Sequence, residues 1–510
     1  MEFQSIVILD FGSQYTQLIA RRIRQLKVYS VIVSFRVSYD EIKNYKPAGI
    51  ILSGGPASVY APDAPKLDST ILSCGLPILG ICYGMQLIAY CEKGNIVRSG
   101  SREYGRTVID ICAKGDLLGN IPAGGTVWMS HGDRIDKIPE NYIITARSDN
   151  ALCAFENPQR KIYGLQFHPE VHHTQYGTEI LSNFIFRICG ISPGWSMPSF
   201  IDTKIREIRE QTGGKAVVLG LSGGVDSTVL AVLLHKAIGD QLTAVFVDNG
   251  LLRLNEGSLI KERFARHFQM NIKYIDAGKN FLKRLKKITD PEKKRLIIGD
   301  EFVKVFFSAV PEFDFLAQGT LYPDVIESVS VKGPSDKIKT HHNRVKRILD
   351  LKSRGMIIEP FQELFKDEVR EIGRLLDVPE EIIQRHPFPG PGLAVRILGE
   401  ITPERVNILQ RADHIVIDEI KKAGLYNKIW QAFGVLLPVK AVGVMGDERT
   451  YADVLAIRAV ESVDGMTADW VKLPYELLET FSRRIIGEIK EINRVVYDIC
   501  SKPPGTIEWE

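Results

Sequence analysis

One hexapeptide fixes much of what this chain can become. Ser222-Gly223-Gly224-Val225-Asp226-Ser227 lies between the apolar run Ala216–Gly220 and the uninterrupted stretch Thr228–Ala237. The first reads as a buried strand and the second as a helix, so the hexapeptide is a tight strand-to-helix turn. The first N–H groups of a helix have no intrahelical acceptor and point into such a turn. Paired glycines remove side-chain bulk and let phosphate oxygens reach the backbone. Ser222, Ser227 and Thr228 add hydroxyl donors. Asp226 is out of place beside phosphate unless it caps the helix or holds a Mg²⁺ that bridges to the phosphates. No Lys follows the glycines, so this is not the common G-x-x-x-x-G-K-[ST] loop.

The chain has 510 residues, enough for two to four domains. A net charge of +3 gives no reason to expect a nucleic-acid or membrane partner, and no apolar run has the length of a membrane span. Met1-Glu2-Phe3-Gln4 does not read as a signal peptide, so the cytoplasm is the expected location. Seven cysteines at scattered spacing argue against a disulfide framework. None lies between residues 190 and 499.

Residues 1–195 read as strands alternating with helices, the pattern of a parallel α/β sheet. Strands are expected at Ser5–Leu9, Tyr29–Val33, Gly49–Leu52 and Leu76–Gly80. In such sheets the site lies at the carboxyl ends of the strands. There Gly80-Ile81-Cys82-Tyr83-Gly84 has the spacing of a nucleophile elbow. The following helix aims its positive end at Cys82 and favours the thiolate. The Tyr83 backbone N–H, with Ser53-Gly54-Gly55-Pro56 after a neighbouring strand, offers donors to an oxyanion. A nucleophilic Cys needs a base and the base an orienter. His168-Pro169-Glu170 supplies both, since residues two apart in an extended segment project to one side. His131, His172 and His173 read as surface or supporting residues, and Met129–Asp133 as a segment that could contact a partner domain.

A breaker-rich stretch, Gly190–Ser199, marks the first boundary, and His386-Pro-Phe-Pro-Gly-Pro-Gly392 the second. The expected domains are 1–195, 196–390 and 391–510. In the middle one, Leu242–Val247 is the strand after the Gly-rich turn, and Arg253 beyond it suits a phosphate. The Lys/Arg-rich residues 279–304, among them Lys283, Arg284, Lys286 and Lys287, read as a solvated helix face. Asp324 could lie near ATP or its metal, and residues 331–343 read as a cationic loop able to close over phosphates. The last 120 or so residues read as a small α+β module, too thin for a large core of its own, which suggests pairing with a second copy. Its tail, Ser501–Glu510, carries Lys502, Glu508 and Trp509 and is expected to fold back on the substrate.

These motifs carry resemblances. GICYGMQ with HPE resembles the class I (triad) glutamine amidotransferases, which implies Cys82 as nucleophile, His168 as base, Glu170 as orienter, and Gly54, Gly55, Tyr83 and Gln86 around the oxyanion and glutamine. SGGVDS resembles the loop of the ATP pyrophosphatases, which implies ATP at Ser222, Gly223, Gly224, Val225, Asp226 and Ser227 and Mg²⁺ at Asp226. The whole chain resembles the glutamine-hydrolysing GMP synthetases, through LSGGPASV, VDNGLLR, QGTLYPD, KTHHN, HPFPGPGLAVR, GVMGDERTY and KPPGTIEWE. That family takes ammonia from glutamine, adenylylates XMP with ATP, and aminates it to GMP with release of AMP and pyrophosphate. Carried across, Arg253, Gln431, Asp447, Lys502 and Glu508 match its XMP contacts, and a homodimer forms through the C-terminal domain. A sulfur-transferring tRNA-modifying enzyme is the rival reading. It needs a cysteine to carry sulfur, and residues 190 to 499 offer none.

Overall fold

A computed structural model describes residues 4–270, 272–329, 346–445, 448–462 and 467–510. The expected closing loop 331–343 and Asp447 lie outside the described residues. The chain divides into two compact units, which meet in sequence between Phe200 and Ile201.

The first unit is built on an eight-stranded sheet. Its strands are β1 (Ser5–Asp10), β2 (Tyr29–Ser34), β3 (Pro47–Leu52), β4 (Ile78–Ile81), β6 (Asp110–Ile111), β8 (Ile143–Arg147), β9 (Leu152–Asn157) and β10 (Ile162–Leu165). A separate two-stranded ribbon pairs β5 (Asn95–Val108) with β7 (Thr126–Lys137). The order across the main sheet is β2-β1-β3-β4-β10-β9-β8-β6. The first five strands are mutually parallel, as expected. From β10 onward the pairing is antiparallel, and the short connections between β8, β9 and β10 leave no room for a parallel crossover. Ile50, Ile51, Leu79, Ile81, Ile162 and Leu165 are all fully buried. Each such aliphatic side chain contributes about 1.5–3 kcal/mol, and together they lock the register of β3, β4 and β10.

The second unit opens with the helix Met197–Thr212, most of which belongs to it. Its parallel sheet comprises β11 (Val217–Leu221), β12 (Leu242–Asp248), β13 (Ile272–Asp276), β14 (Phe315–Ala317) and β15 (Ile357–Ile358), in the order β13-β12-β11-β14-β15. The chain reverses direction across the sheet at β11/β14, the topological switch point where ligands bind in such folds. A smaller sheet follows: β16 (Gln431–Met445), β17 (Glu448–Glu461), β18 (Asp469–Trp470) and β19 (Ile492–Tyr497), backed by the helices Pro403–Lys422 and Tyr475–Glu488. One hydrophobic core runs through both sheets' surroundings, from Val218 and Val245 through Leu393 and Leu409 to Phe481 and Ile492.

Candidate functional sites

Three adjacent strands deliver the first site. β3 leads into Ser53-Gly54-Gly55, β4 into Cys82 and β10 into Gln166-Phe167-His168. Cys82 N donates to Leu165 O at 2.7 Å, which fastens the elbow to the end of β10. Cys82 has φ 52° and ψ −106°, a strained conformation at the N-terminus of the helix Tyr83–Cys91. The elbow needs both its glycines. A Cβ on Gly80 would lie 2.6 Å from the Gly84 carbonyl, and one on Gly84 2.3 Å from Leu52 O.

The Cys, His and Glu come together. Cys82, His168 and Glu170 are 5%, 3% and 0% exposed. His168 Nδ1 lies 2.7 Å from Glu170 Oε1, and the imidazole is close enough to Cys82 for the sulfur to act on its protonation. Burial pulls the His168 pKa down. The charge of Glu170 and the hydrogen bonds to Cys82 and Glu170 outweigh it and raise the pKa well above the usual value. The arrangement therefore favours an imidazolium beside the sulfur, held by a carboxylate behind it. Arg22 Nε donates to Glu170 O at 3.0 Å and Thr174 Oγ1 to His168 O at 2.6 Å, which pins this segment. Gly54 lies against His168, where a Cβ would come 3.1 Å from Cε1. Gly55 lies against Tyr83, at 3.3 Å from Cγ by the same measure. Tyr83 N opens the helix and has no intrahelical acceptor. Gln86 is buried, its Nε2 bonded to Asp133 O at 2.9 Å and Gln166 Oε1 at 3.2 Å.

The neighbouring histidines divide. His172 and His173 are exposed. His131 is not a surface residue: it sits on β7, 5% exposed, with Nδ1 3.0 Å from Asp133 O. The segment Met129–Asp133 packs on this site, since Ser130 O accepts from Cys82 Sγ at 3.6 Å.

The second site lies at the carboxyl end of β11. Gly224 is the N-cap of the helix Val225–Ile238, and Thr228 Oγ1 donates to its carbonyl at 2.8 Å. Ser222 Oγ meets Ser227 Oγ at 3.0 Å and accepts from Gly224 N at 3.2 Å, closing the turn on itself. Gly223 has φ +73°, and a Cβ there would fall 2.3 Å from Ile260 Cδ1. Its carbonyl accepts from Arg385 Nη1 at 2.5 Å, and Arg385 also pairs with Glu256.

Asp226 does not cap the helix, since it stands in the first turn behind Gly224 and makes no cap bond. Its Oδ2 lies 3.4 Å from Lys366 Nζ, while its Oδ1 is buried without a hydrogen-bond partner. Arg370 is close enough to feel the Asp226 charge. Burial pulls the Arg370 pKa down and Asp226 pushes it back. Gly319, just past β14, is the neighbour of Asp226 across the switch point. Asp324 instead accepts from Leu321 N at 3.1 Å, a local bond at the start of the helix Tyr322–Val329.

Three of the residues matched to substrate contacts converge. Glu508 accepts from Gln431 Nε2 at 2.7 Å and, through both oxygens, from Arg396 at 3.0 and 2.8 Å. Arg253 donates from Nη2 to Ala432 O at 3.4 Å and lies 3.0 Å from Asp413. Burial alone would lower the Arg253 pKa; Asp413 and its neighbours raise it. The tail packs against the second unit: Glu508 docks as described, Glu510 pairs with Lys294, and the backbone of Lys502 pairs with Ala468. Lys283, Arg284, Lys286 and Lys287 are exposed, but Lys294 in the same basic stretch is fully buried, bonded to Ile397 O at 2.8 Å.

Sequence reasoning gave no role to Gln166, Lys366, Arg370, Arg385, Arg396 or Asp413. Lys366 and Arg370 share one face of the helix Lys366–Leu375, spaced i and i+4, which is the signal that could have found them.

The family comparisons parallel this geometry. The class-I glutamine amidotransferase family matches residues 7–188, NAD synthase residues 199–300, and the GMP synthase C-terminal domain residues 418–509. The chain is similar to a GMP synthase [glutamine-hydrolyzing] of Brachyspira hyodysenteriae, 58% identical over 509 residues and 99% of each chain. It is similar to the enzyme of that name from Chlorobium chlorochromatii, 56% identical over 99% of this chain and 100% of the other. The Thermomicrobium roseum protein of the same name is also 56% identical, over 100% of this chain and 97% of its own. With that identity across the full length, the chain belongs to the glutamine-hydrolysing GMP synthase family.

Proposed function

We propose that the protein makes GMP from XMP by joining two chemistries in one chain. Glutamine is hydrolysed to ammonia at the first site, and XMP is adenylylated with ATP and aminated at the second, releasing AMP and pyrophosphate. The observation that carries this reading is the coexistence of an assembled Cys–His–Glu site with a phosphate-cradling SGG turn.

At the first site, Cys82 Sγ attacks the side-chain amide carbon of glutamine. The imidazolium of His168 protonates the departing ammonia, and Glu170 stabilises the charged ring. The Tyr83 N–H and the Gly54-Gly55 backbone stand where an oxyanion needs donors, and Gln86 supports the pocket. Water then cleaves the thioester with His168 as base. At the second site, Ser222, Gly223, Gly224, Val225, Asp226 and Ser227 cradle the ATP phosphates through backbone N–H groups and hydroxyls. The unpartnered, buried Oδ1 of Asp226 fits a Mg²⁺ ligand. When bound, the ion would neutralise charge developing on the pyrophosphate. Lys366 and Arg370 add positive charge on the same side. Arg253, Gln431, Lys502 and Glu508, with Asp447, hold XMP. Glu508 suits N–H donors of the purine, because a carboxylate repels phosphate.

In this reading residues 1–195 are the amidotransferase, 196–390 the ATP pyrophosphatase, and 391–510 a dimerisation and substrate-binding domain. Val442, Val444 and Tyr451 on β16 and β17 are 46%, 74% and 65% exposed. They sit side by side in the register and support a homodimer through this sheet. The enzyme works in the cytoplasm, where its free thiols stay reduced.

The test is a product assay with XMP, ATP, Mg²⁺ and glutamine that separates AMP from ADP. GMP with stoichiometric AMP is expected. ADP, or nucleotide turnover independent of XMP, would overturn the reading. Cys82→Ala should abolish glutamine-dependent synthesis and leave synthesis from added ammonia.

A further inference from the structure

Gln166 is the first residue beyond β10 and is fully buried. Its Nε2 lies 3.7 Å from Cys82 Sγ. Its Oε1 accepts from Gln86 Nε2 at 3.2 Å, and that same nitrogen donates to Asp133 O at 2.9 Å.

The direction of this relay is fixed at its far end. A backbone carbonyl can only accept, so Asp133 O requires the NH₂ of Gln86, and it requires the N–H of His131 at Nδ1 as well. Gln86 then gives its other hydrogen to Gln166 Oε1. Gln166 is left with its NH₂ aimed at the sulfur, and an amide flip would set two NH₂ groups against each other.

An N–H at sulfur discriminates between the two states of a cysteine. A neutral thiol is a weak acceptor, whereas a thiolate accepts a charge-assisted hydrogen bond. The structure offers each state its own partners. The thiol S–H points to Ser130 O at 3.6 Å. The thiolate receives the N–H of Gln166 and lies at the first turn of the helix Tyr83–Cys91, with the His168 ring beside it.

We propose that Gln166 is a thiolate-stabilising catalytic residue of the glutamine-cleaving site: its carboxamide, oriented by Gln86 and the Asp133 carbonyl, donates to Cys82 Sγ and holds the nucleophile as the anion. This rests on Cys82, His168 and Glu170 being the amide-cleaving site. A charge-assisted hydrogen bond of this kind shifts the thiol–thiolate balance about tenfold or more. Titratable groups on the surrounding elements include His168 and Glu170 beyond β10, Tyr163 on β10, Tyr15 packed on His168, His131, Asp133, Arg134, Asp136 and Lys137 on β7, and Tyr83, Tyr90 and Cys91 in the helix. They are unchanged in the variants below.

Gln166→Glu keeps the shape and the bond from Gln86 but presents an oxygen to the sulfur. Gln166→Met removes the donor and adds no charge. In the full-length protein, the rate of Cys82 alkylation by iodoacetamide is followed across the neutral pH range by peptide mass spectrometry. Melting temperature checks folding. Gln166→Glu is expected to lower the rate at neutral pH about tenfold or more and to move the profile to higher pH, with a smaller change of the same sign in Gln166→Met. Glutamine-dependent kcat falls with it. Should Gln166→Glu fail to fold, Gln86→Leu, which frees Gln166 to flip, carries the same expectation. Profiles matching the unsubstituted protein in folded variants would overturn the proposal. Failure of the underlying site is seen separately, as glutamine hydrolysis that survives Cys82→Ala.

Discussion

Replacing Glu508 by Gln tests the docked tail. Arg396 is fully buried, and its guanidinium is held by both carboxylate oxygens of Glu508 at 3.0 and 2.8 Å. Glu508→Gln removes the only counter-charge Arg396 has in its described ion pairs and keeps one acceptor oxygen. Breaking a buried pair from one side costs about 3–5 kcal/mol. Two features reduce this. The Glu508 side chain is 18% exposed, so water reaches part of the pair. The Arg396 guanidinium also lies 4.0 Å above Phe433, a contact worth about 1 kcal/mol that survives the change. The expected loss is about 3 kcal/mol.

Arg396→Met in the Glu508→Gln background should recover much of that loss, because Phe388 and Phe433 already line an apolar seat for the replacement. The assay is urea unfolding of the full chain for both single variants and the double, with XMP saturation of AMP release measured in parallel. Glu508→Gln should also raise the XMP concentration needed for half-maximal rate. A Glu508→Gln cost below about 0.5 kcal/mol would refute the buried-pair reasoning, and so would a double variant whose losses simply add.

Other perturbations probe the remaining sites. Gly223→Ala places a Cβ at φ +73°, 2.3 Å from Ile260 Cδ1, at about 1–2 kcal/mol for the backbone and about 1–3 for the crowding. AMP release should fall at least about tenfold while glutamine hydrolysis persists, and undiminished AMP release would show that the turn tolerates displacement. Glu170→Gln removes the charge that raises the His168 pKa, and kcat for glutamine hydrolysis should fall about 10²–10⁴-fold; a loss smaller than fivefold or so would make Glu170 only a packing residue. Burial lowers the His386 pKa to about 4, below its unfolded value. As pH falls the unfolded chain therefore binds the proton first, so this contribution is present above about pH 6.5 and is lost toward pH 4, by about 3 kcal/mol in all. Urea midpoints should drop across that window and the slope should flatten in His386→Gln; equal slopes in the two proteins would remove His386 from the account.

Much of the architecture is written locally. The apolar runs ending in Leu52, Gly80 and Leu165 are strands, and each hands its carboxyl end to a motif the site uses. Parallel pairing of β3, β4 and β10 follows from burial on both faces, so Ser53-Gly54, Cys82 and His168 had to meet. The SGG turn is legible for a local reason too, since Gly223 takes a positive φ that favours glycine. The exposed positions Lys283 and Lys287 were equally plain.

What stayed hidden is polar, buried and paired across long stretches of sequence. Lys294 shares a helix face with Ile298 and Glu301, spaced i, i+4 and i+7, and all three are buried. A periodicity count finds that face, but hydropathy assigns its Lys and Glu to solvent. Glu510, brought back 216 residues later, supplies the counter-charge that makes the burial of Lys294 tolerable, beside the carbonyls of Ala394 and Ile397. Arg396 and Glu508, 112 residues apart, repeat the pattern, and Gln166 reaches Cys82 across 84. A buried polar group without its partner costs about 1–3 kcal/mol, so such residues persist where the fold supplies the partner. Gln166 lies in the glutamine-cleaving candidate site, and Arg396 and Lys294 hold the tail that carries Glu508. Burial of a side chain that composition assigns to the surface is thus the observation that leads from fold to chemistry here, and it becomes visible only once the strands and the tail are in place.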